Sequence, residues 1–300
     1  MWRYDAREEG ATGFHGNPAL IRKLVVVQSD GSKPTIYAFD QKTGAVAWRF
    51  DSGKLNFSFD ILVAPPNIVA LVSQGLVAID PQTGKKVWQY DLTPAAFISP
   101  VTDGARVFAA SSDGSLYAVD AWTGKLLWKT ALRGSPSSSV AATFVDGSLY
   151  VGASETSWDD PWSTALPGKH TLYRVNPESG TIEGSIALPA KALGRLIRSN
   201  DVVVVYAGNT LLGLTADLKT VVWKQSAVHN SKTPRVRLMD REIAFAPSDP
   251  KSVIALRVAS GEVMWQESLP GSLTTLESSG DNLYVGIAGG RLIAYKIVVK

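Results

Sequence analysis

The residues best suited to binding chemistry lie in one irregular segment between residues 151 and 172. The segment contains two tryptophans and three carboxylates, and its candidate contact residues are Trp158, Asp159, Asp160, Trp162 and His170. Exposed aromatic side chains are typical anchors of protein interfaces, so the segment is a candidate binding element. In the alternative, both tryptophans fold back and cover a gap left by Gly184. The carboxylates, with Glu155, offer oxygen ligands for calcium, but their spacing matches no standard calcium loop.

A second candidate group consists of basic side chains between residues 191 and 237. Its candidate contact residues are Arg195, Arg198, His229, Arg235 and Arg237, with Lys191, Lys224 and Lys232 among them. Arg235 and Arg237 alternate along the chain, so on a strand both side chains point to one face. A cationic wall of this kind would bind an anionic ligand or an acidic peptide. In the alternative, the cations form a solvated rim and pair with carboxylates such as Asp240 and Glu242.

The sequence gives little support for a zinc site, for nucleophilic catalysis or for nucleic-acid binding. The three histidines, His15, His170 and His229, lack the short spacing of a zinc site. The absence of cysteine excludes disulfides, thiolate metal sites and cysteine nucleophiles. No G-x-S-x-G segment marks a serine nucleophile. The balance of 30 basic and 27 acidic residues is too even for a nucleic-acid-binding protein.

Targeting signals are also missing from the sequence. No apolar run approaches the ~20 residues of a membrane-spanning helix. The first residues contain no apolar segment of the kind found in signal peptides, so we expect none in this chain. The abrupt start of the sequence is compatible with an export signal that has been removed.

An internal repeat determines which elements hold these residues. The segments 38–48, 78–88 and 118–128 all read A-x-D-x-x-T-G-x-x-x-W, at a period of 40 residues. Partial copies occupy 174–184, 213–223 and 255–265, and a seventh copy starts at Ala294. Residues 1–5 resemble residues 47–51, so Trp2 completes the last copy from the other end of the chain. The sequence thus contains seven units.

Each unit predicts four short strands, separated by Asp-Gly and Thr-Gly turns. We therefore expect an all-β, seven-bladed β-propeller with four-stranded blades, formed as a single domain of residues 1–300. The N-terminal strand completes the last blade and closes the ring. The fourth repeat starts 56 residues after the third, against 39–42 residues elsewhere. This insertion lies between the second and third strands of its blade, where loops on a rigid frame commonly carry function.

The A-x-D-x-x-T-G-x-x-x-W repeat resembles the tryptophan-docking motif of the pyrroloquinoline quinone (PQQ)-like β-propellers. Three complete, three partial and one split copy cover essentially the whole chain. One branch of that family contains the quinoprotein alcohol and glucose dehydrogenases, which are eight-bladed enzymes with PQQ and calcium. The other branch is non-catalytic, and is similar to the outer-membrane barrel-assembly lipoprotein and to sensor propellers of bacterial Ser/Thr kinases.

The sequence departs from the enzyme branch in blade number, and it lacks that branch's adjacent cysteine pair, its C-x-x-C-H haem motif and any matching calcium ligands. It departs from the lipoprotein by one blade and by the absence of a lipobox cysteine. The resemblance implies a monomeric, periplasmic or extracytoplasmic scaffold without a cofactor, which docks a protein or peptide partner through its funnel-face loops. A compact PQQ-dependent sugar or alcohol dehydrogenase and a sensor of a small anionic ligand are the alternatives.

Overall fold

The computed structural model describes residues 1–53, 61–72, 75–92, 99–111, 113–136, 142–155, 169–226, 236–239 and 242–297. These residues divide into two compact units, Met1–Leu132 (unit 1) and Arg133–Lys300 (unit 2). The single domain of residues 1–300 stays a prediction.

Unit 1 contains one 3-10 turn (Arg7–Glu9) followed by three four-stranded antiparallel sheets. The strands are β1 (Ala11–Ile21), β2 (Leu24–Gly31), β3 (Thr35–Asp40) and β4 (Val46–Asp51); β5 (Leu62–Ala64), β6 (Asn67–Val72), β7 (Gly75–Ile79) and β8 (Lys86–Asp91); β9 (Val101–Thr102), β10 (Arg106–Ala110), β11 (Ser115–Asp120) and β12 (Leu126–Ala131). In every sheet the strands are hydrogen-bonded in chain order, so each sheet is an up-and-down meander.

Unit 2 continues the pattern with four more sheets. The strands are β13 (Ser135–Pro136), β14 (Thr143–Val145), β15 (Ser148–Ser154), β16 (His170–Val175) and β17 (Ile182–Leu188); β18 (Ala192–Ser199), β19 (Val202–Ala207), β20 (Thr210–Thr215) and β21 (Val221–Ser226); β22 (Arg237–Met239), β23 (Ile243–Asp249), β24 (Ser252–Arg257) and β25 (Val263–Ser268); β26 (Leu273–Ser279), β27 (Asn282–Ile287) and β28 (Arg291–Lys296). Both β13 and β14 pair with β15, so the first strand of this sheet is split.

Seven successive meanders of this kind form the predicted seven-bladed β-propeller, and we number the sheets as blades one to seven. The four strand positions of a blade are called A to D in chain order. The described part of blade seven has three strands, and residues 1–6 are not assigned to a strand.

The hydrophobic core lies between neighbouring blades rather than within one of them. One cluster joins blades one and two, another joins blades two and three, and similar clusters follow in unit 2. The repeat alanines Ala38, Ala78 and Ala118 are completely buried. This agrees with the predicted role of a small side chain, which is to let adjacent blades approach.

The motif turn between strands C and D has the local structure that its sequence predicts. In blade two, the Asp80 carboxylate accepts hydrogen bonds from the backbone N–H groups of Gln82 and Thr83 at 2.7 and 3.1 Å. Gly84 follows with a φ of +67°, which is the left-handed conformation that glycine adopts without strain. Blades one and three repeat the same arrangement.

Four of the motif tryptophans donate a hydrogen bond to the motif turn of the following blade. Trp48 in β4 donates from Nε1 to the Pro81 carbonyl at 2.9 Å, and a Cβ added to Gly84 would lie 2.7 Å from its indole ring. Trp88 and Trp223 make the equivalent bonds at 3.1 and 2.7 Å. Trp2 does the same to the Gln41 carbonyl at 3.0 Å. Trp2 is therefore a motif tryptophan, as residues 1–5 predict.

The junction of blades four and five uses a different contact, because Gly184 replaces the tryptophan. The register pairs a small residue on strand C with the tryptophan on strand D in blades one, two, three, five and six, whereas blade four pairs Arg174 with Gly184. A Cβ added to Gly184 would lie 2.4 Å from the Asp217 carbonyl oxygen. The gap expected at Gly184 is thus filled by the turn of blade five.

Tyr150 supplies the hydrogen bond that the missing tryptophan would have made. Its side chain is completely buried in β15, and its hydroxyl donates to the Ala216 carbonyl at 2.9 Å. Ala216 follows Thr215, which stands at the motif aspartate position, so the acceptor is equivalent to Pro81 and Ala121 in unit 1. Burial raises the pKa of the Tyr150 phenol, which keeps the hydroxyl protonated as a donor.

Candidate functional site

The insertion of blade four emerges from a well-defined hairpin base formed by β15 and β16. Ser154 and His170 are opposite each other in the last pair of this ladder, and the Glu155 N–H donates to the Lys169 carbonyl at 2.9 Å just beyond it. The Ser154 hydroxyl and His170 Nδ1 lie 2.8 Å apart in a hydrogen bond, and both side chains are buried. His170 therefore holds the base of the insertion together.

The other candidate residues of the insertion lie outside the described residues. These are Trp158, Asp159, Asp160 and Trp162. Two members of the basic group, His229 and Arg235, also lie outside them. Their roles in binding stay predictions. The structure does describe the two ends of the insertion, at Glu155 and Lys169, and both of these residues are exposed.

Arg198 lies near the end of strand β18 and is directed towards blade four. Its Nε donates to the Asn200 carbonyl at 3.0 Å, and its Nη1 lies 3.4 Å from the Asp146 carbonyl and 3.5 Å from the Ser148 hydroxyl. Asp146 and Ser148 flank the turn between strands A and B of blade four. Arg198 thus ties two neighbouring blades together at the end of the sheet away from the insertion.

Arg237 and Arg195 lie on the first strands of blades six and five. The Arg237 guanidinium binds Glu277 through two hydrogen bonds, Nε–Oε2 at 2.7 Å and Nη2–Oε1 at 2.5 Å. Such a fork-like pair is the strong form of an arginine–carboxylate contact. Arg195 is exposed and also takes part in interactions. Arg237 therefore fits the alternative in which the basic side chains pair with carboxylates.

Two residues that contact the candidate site residues, Glu277 and Ser154, were not predicted from the sequence. The repeat period points to Glu277. Arg237 and Glu277 are 40 residues apart, which is one repeat, so they occupy matching positions on adjacent first strands. For this pair, the repeat period identifies the lateral partner. No comparable sequence signal marks Ser154 as the partner of His170.

A metal-dependent quinone site requires several metal-ligating side chains in one place. The described residues contain no group of three or more His, Asp or Glu side chains placed to hold a metal ion. We accordingly derive no step through PQQ or calcium. In the described part of the chain, no helix has the length and apolar character to cross a membrane.

Solved structures with the same fold are numerous, at low sequence identity. BamB from Moraxella catarrhalis is 19% identical with a TM-score of 0.71, over 95% of this chain and 83% of that one. The quinohemoprotein alcohol dehydrogenase of Comamonas testosteroni is 14% identical with a TM-score of 0.69, over 96% of this chain and 66% of the enzyme. Sqt1 from Saccharomyces cerevisiae is 12% identical with a TM-score of 0.72, over 96% and 82%. These similarities show the fold alone.

The sequence itself gives the more specific assignment. No curated protein matches the chain. A family model described as outer membrane protein assembly factor BamB matches residues 1–90, 32–157 and 152–285, which together span nearly the whole chain. The motif turns, the tryptophan contacts and the seven meanders are all features of the PQQ-like propellers that the repeat resembles. The chain belongs to the BamB family of outer membrane protein assembly factors.

Proposed function

We propose that this protein is a non-catalytic scaffold that docks a protein or peptide partner through the loops of blades four to six. The observation that carries the proposal is the insertion of blade four on its buried Ser154–His170 base. The family membership supports a protein-binding scaffold in general terms, since the family is described as an assembly factor. The particular docking surface is our inference from this chain.

The hairpin base favours binding because it limits the entropy lost when the insertion contacts a partner. The hydrogen bond of Ser154 to His170 and the backbone bond of Glu155 to Lys169 hold both ends of the insertion. A loop whose ends are held has fewer conformations to lose on binding. Trp158 and Trp162 would then supply the aromatic contact area that interfaces use.

The ion pair of Arg237 with Glu277 favours a polypeptide over a simple anion as the ligand. Arg237 already shares its guanidinium with Glu277. A small anion would have to displace this carboxylate, whereas a peptide can use the donors and acceptors of the pair together. The same reasoning makes a sensor of a small anionic ligand the weaker candidate. For Arg195 and Arg237, isothermal titration of the Ala variants with phosphate and acetate tests that candidate.

The central experiment is affinity capture from an extract of the source organism, with quantification of each captured protein. The variant is Trp158→Ala/Trp162→Ala, and the matched control is Leu292→Ala, which removes an exposed apolar side chain from β28. We expect a specific partner that the control retains and the double variant loses. Equal capture by all three proteins would contradict docking through the insertion.

Two further properties belong to the proposal. We infer an extracytoplasmic location, because the family description refers to the outer membrane, and cell fractionation with a tagged chain tests it. We also propose that the protein works without PQQ. A dye-linked assay with added PQQ and calcium, on sugars and alcohols, tests this point, since turnover would identify a compact dehydrogenase instead.

A further inference from the structure

Blade four carries an arginine where the other blades carry a small residue. Arg174 in β16 stands at the position of the repeat alanine, which is alanine or glycine in the six other copies. The register pairs Arg174 with Tyr150 on one neighbouring strand and with Gly184 on the other. Paired residues of antiparallel strands share one face of the sheet, and Tyr150 and Gly184 both face the motif turn of blade five. The Arg174 side chain is therefore directed towards blade five.

The Arg174 guanidinium is incompletely paired. Its Nη2 lies 3.3 Å from Oε2 of Glu183 in an ion pair. The other carboxylate oxygen, Oε1, accepts a hydrogen bond from the Asn176 amide at 2.9 Å, so Glu183 does not form the two-bond fork typical of arginine–carboxylate pairs. Nε of Arg174 is buried and has no hydrogen-bond partner among the described residues. Since a buried donor without an acceptor is costly, this Nε is available to an added acceptor.

A second guanidinium lies on the same face of blade four. Nη1 of Arg198 is 3.5 Å from the Ser148 hydroxyl, and Ser148 precedes Tyr150 by two residues in β15, so both side chains point to one face. In the described part of the chain, Arg198 contacts only neutral oxygen atoms, which are this hydroxyl and the backbone carbonyls of Asn200 and Asp146. Its two Nη1 contacts, at 3.4 and 3.5 Å, are long for hydrogen bonds. Arg198 therefore keeps its charge without a bound carboxylate.

The Tyr150 hydroxyl connects the two arginines. Burial raises the pKa of this phenol, while the positive charges of Arg198 and Arg174 act to lower it, which requires both guanidiniums to lie near the hydroxyl. The hydroxyl hydrogen is donated to the Ala216 carbonyl. Only the oxygen lone pairs of Tyr150 therefore remain for the cations.

The charge at this junction is positive on balance. The described contacts bring together the two guanidiniums and one carboxylate, that of Glu183. Asp217, in the motif turn of blade five, is already engaged, since it accepts from the Thr215 hydroxyl at 2.7 Å and pairs with Lys219 at 3.2 Å. An anion would therefore be attracted to this junction.

We propose that Arg174 and Arg198 form a binding site for a phosphate-sized oxyanion at the junction of blades four and five. Its oxygens would accept from Nε of Arg174 and from the Nη groups of Arg198, in the manner that arginine binds phosphate. A carboxylate offers two oxygen atoms, whereas a phosphate group offers at least three, enough for both arginines. Both side chains are half-buried, so the anion can enter from solvent and is still partly desolvated.

The bound anion would give this junction a link that its sequence lacks. Other neighbouring blades are joined by a motif tryptophan, whereas blade four has Gly184 at that position. An anion held by Arg174 of blade four and Arg198 of blade five would join the two blades directly. The site lies away from the insertion of blade four, so it is separate from the proposed docking surface.

Isothermal titration of the full chain with inorganic phosphate tests the proposal, and acetate and glycerol phosphate are the comparison ligands. The first variant is Arg174→Ala, which installs the residue that blades one, two, three and six carry at this position and is thus compatible with the fold. Arg198→Gln removes the second cation. Glu183→Gln removes the carboxylate that competes for Arg174. The matched control is Arg257→Gln, because Arg257 also pairs with a nearby carboxylate, that of Glu262 at 3.6 Å.

We expect phosphate to bind more tightly than acetate. Arg174→Ala and Arg198→Gln should each weaken phosphate binding roughly tenfold or more, because each removes charge-assisted hydrogen bonds. Glu183→Gln should strengthen it several-fold, which a merely structural role of the ion pair would not produce. Saturating phosphate should raise the melting temperature of the parent and of the control, but not that of Arg174→Ala.

The comparison ligand identifies the source of the phosphate group. Glycerol phosphate that binds as tightly as inorganic phosphate would indicate an organic phosphate ester, and weaker binding would indicate the free ion. The double variant Trp158→Ala/Trp162→Ala should bind phosphate as the parent does. This site and the proposed docking surface can therefore fail independently.

Three results would overturn the proposal. The first is a parent chain that binds no phosphate. The second is unchanged affinity in Arg174→Ala, with an unchanged melting temperature, which would place the anion elsewhere. The third is weaker binding by Glu183→Gln than by the parent, which would show that the carboxylate does not compete with the anion for Arg174.

Discussion

The fourth blade offers a test in which the repeat pattern and the structure predict opposite results. Gly184 stands at a position where the six other copies have tryptophan, so a consensus argument favours Gly184→Trp as a stabilising change of about 0.5–2 kcal/mol. The structure predicts a loss instead. Even the Cβ of Gly184→Ala would lie 2.4 Å from the Asp217 carbonyl oxygen.

The expected size of the loss follows from this contact. Overpacking of a rigid site costs about 1–3 kcal/mol, and Gly→Ala recovers about 0.4–1 kcal/mol through the unfolded chain. The turn around Asp217 cannot easily retreat, because Leu218 is buried and the Ala216 carbonyl is bonded to Tyr150. We therefore expect Gly184→Ala to lower the free energy of unfolding by about 1–2 kcal/mol, and Gly184→Trp to lower it further.

Thermal and urea unfolding of the purified variants give the measurement. For a unit of this size, 1 kcal/mol corresponds to a melting temperature change of roughly 2–4 °C. Ser185→Ala, at the next and exposed residue of β17, is the matched control and should stay within about 0.5 kcal/mol of the parent. A higher melting temperature for Gly184→Trp would refute the reasoning.

Three other predictions concern individual hydrogen-bonded groups. Tyr150→Phe leaves a buried carbonyl without its donor and should cost about 1–3 kcal/mol in urea unfolding. Ser154→Ala removes the buried partner of His170 Nδ1 and should cost a similar amount, about 1–3 kcal/mol, with weaker capture of the partner. Hydrogen bonds from Arg49 and the Tyr4 hydroxyl lower the pKa of Glu9 from 4.5 to about 2, so the stability they provide is present above about pH 4.5 and lost as the pH falls towards 2. The Glu9→Gln variant should show less of this acid loss in melting temperatures from pH 2 to 6, and an identical profile would contradict it.

Much of the fold was predictable because the repeat encodes local geometry. The order D-x-x-T-G specifies a capped turn with a left-handed glycine, and the structure has that turn at Asp80 to Gly84. The tryptophans at a fixed distance from the turn specify the contact between blades, which even Trp2 makes. The partial motif at residues 1–5 could be interpreted because the complete copies all have the same sequence pattern around the tryptophan.

The candidate site was less predictable because its residues depart from the repeat. The substitution of Tyr150 for a tryptophan involves a different strand, so the motif gives no sign of it. The pairing of Arg237 with Glu277 becomes visible only when positions one period apart are compared.

The hydrogen bonds that join neighbouring blades end on main-chain carbonyls, and this affects which mutations the protein tolerates. Trp48 and Trp88 bind Pro81 and Ala121 through backbone oxygens, so the scaffold places no demand on the exposed side chain that follows each acceptor. That position is consequently free to vary in charge and size while the blade contacts persist. In blades two and three, a single mutation at this position can therefore introduce a new recognition residue without a compensating change in the core.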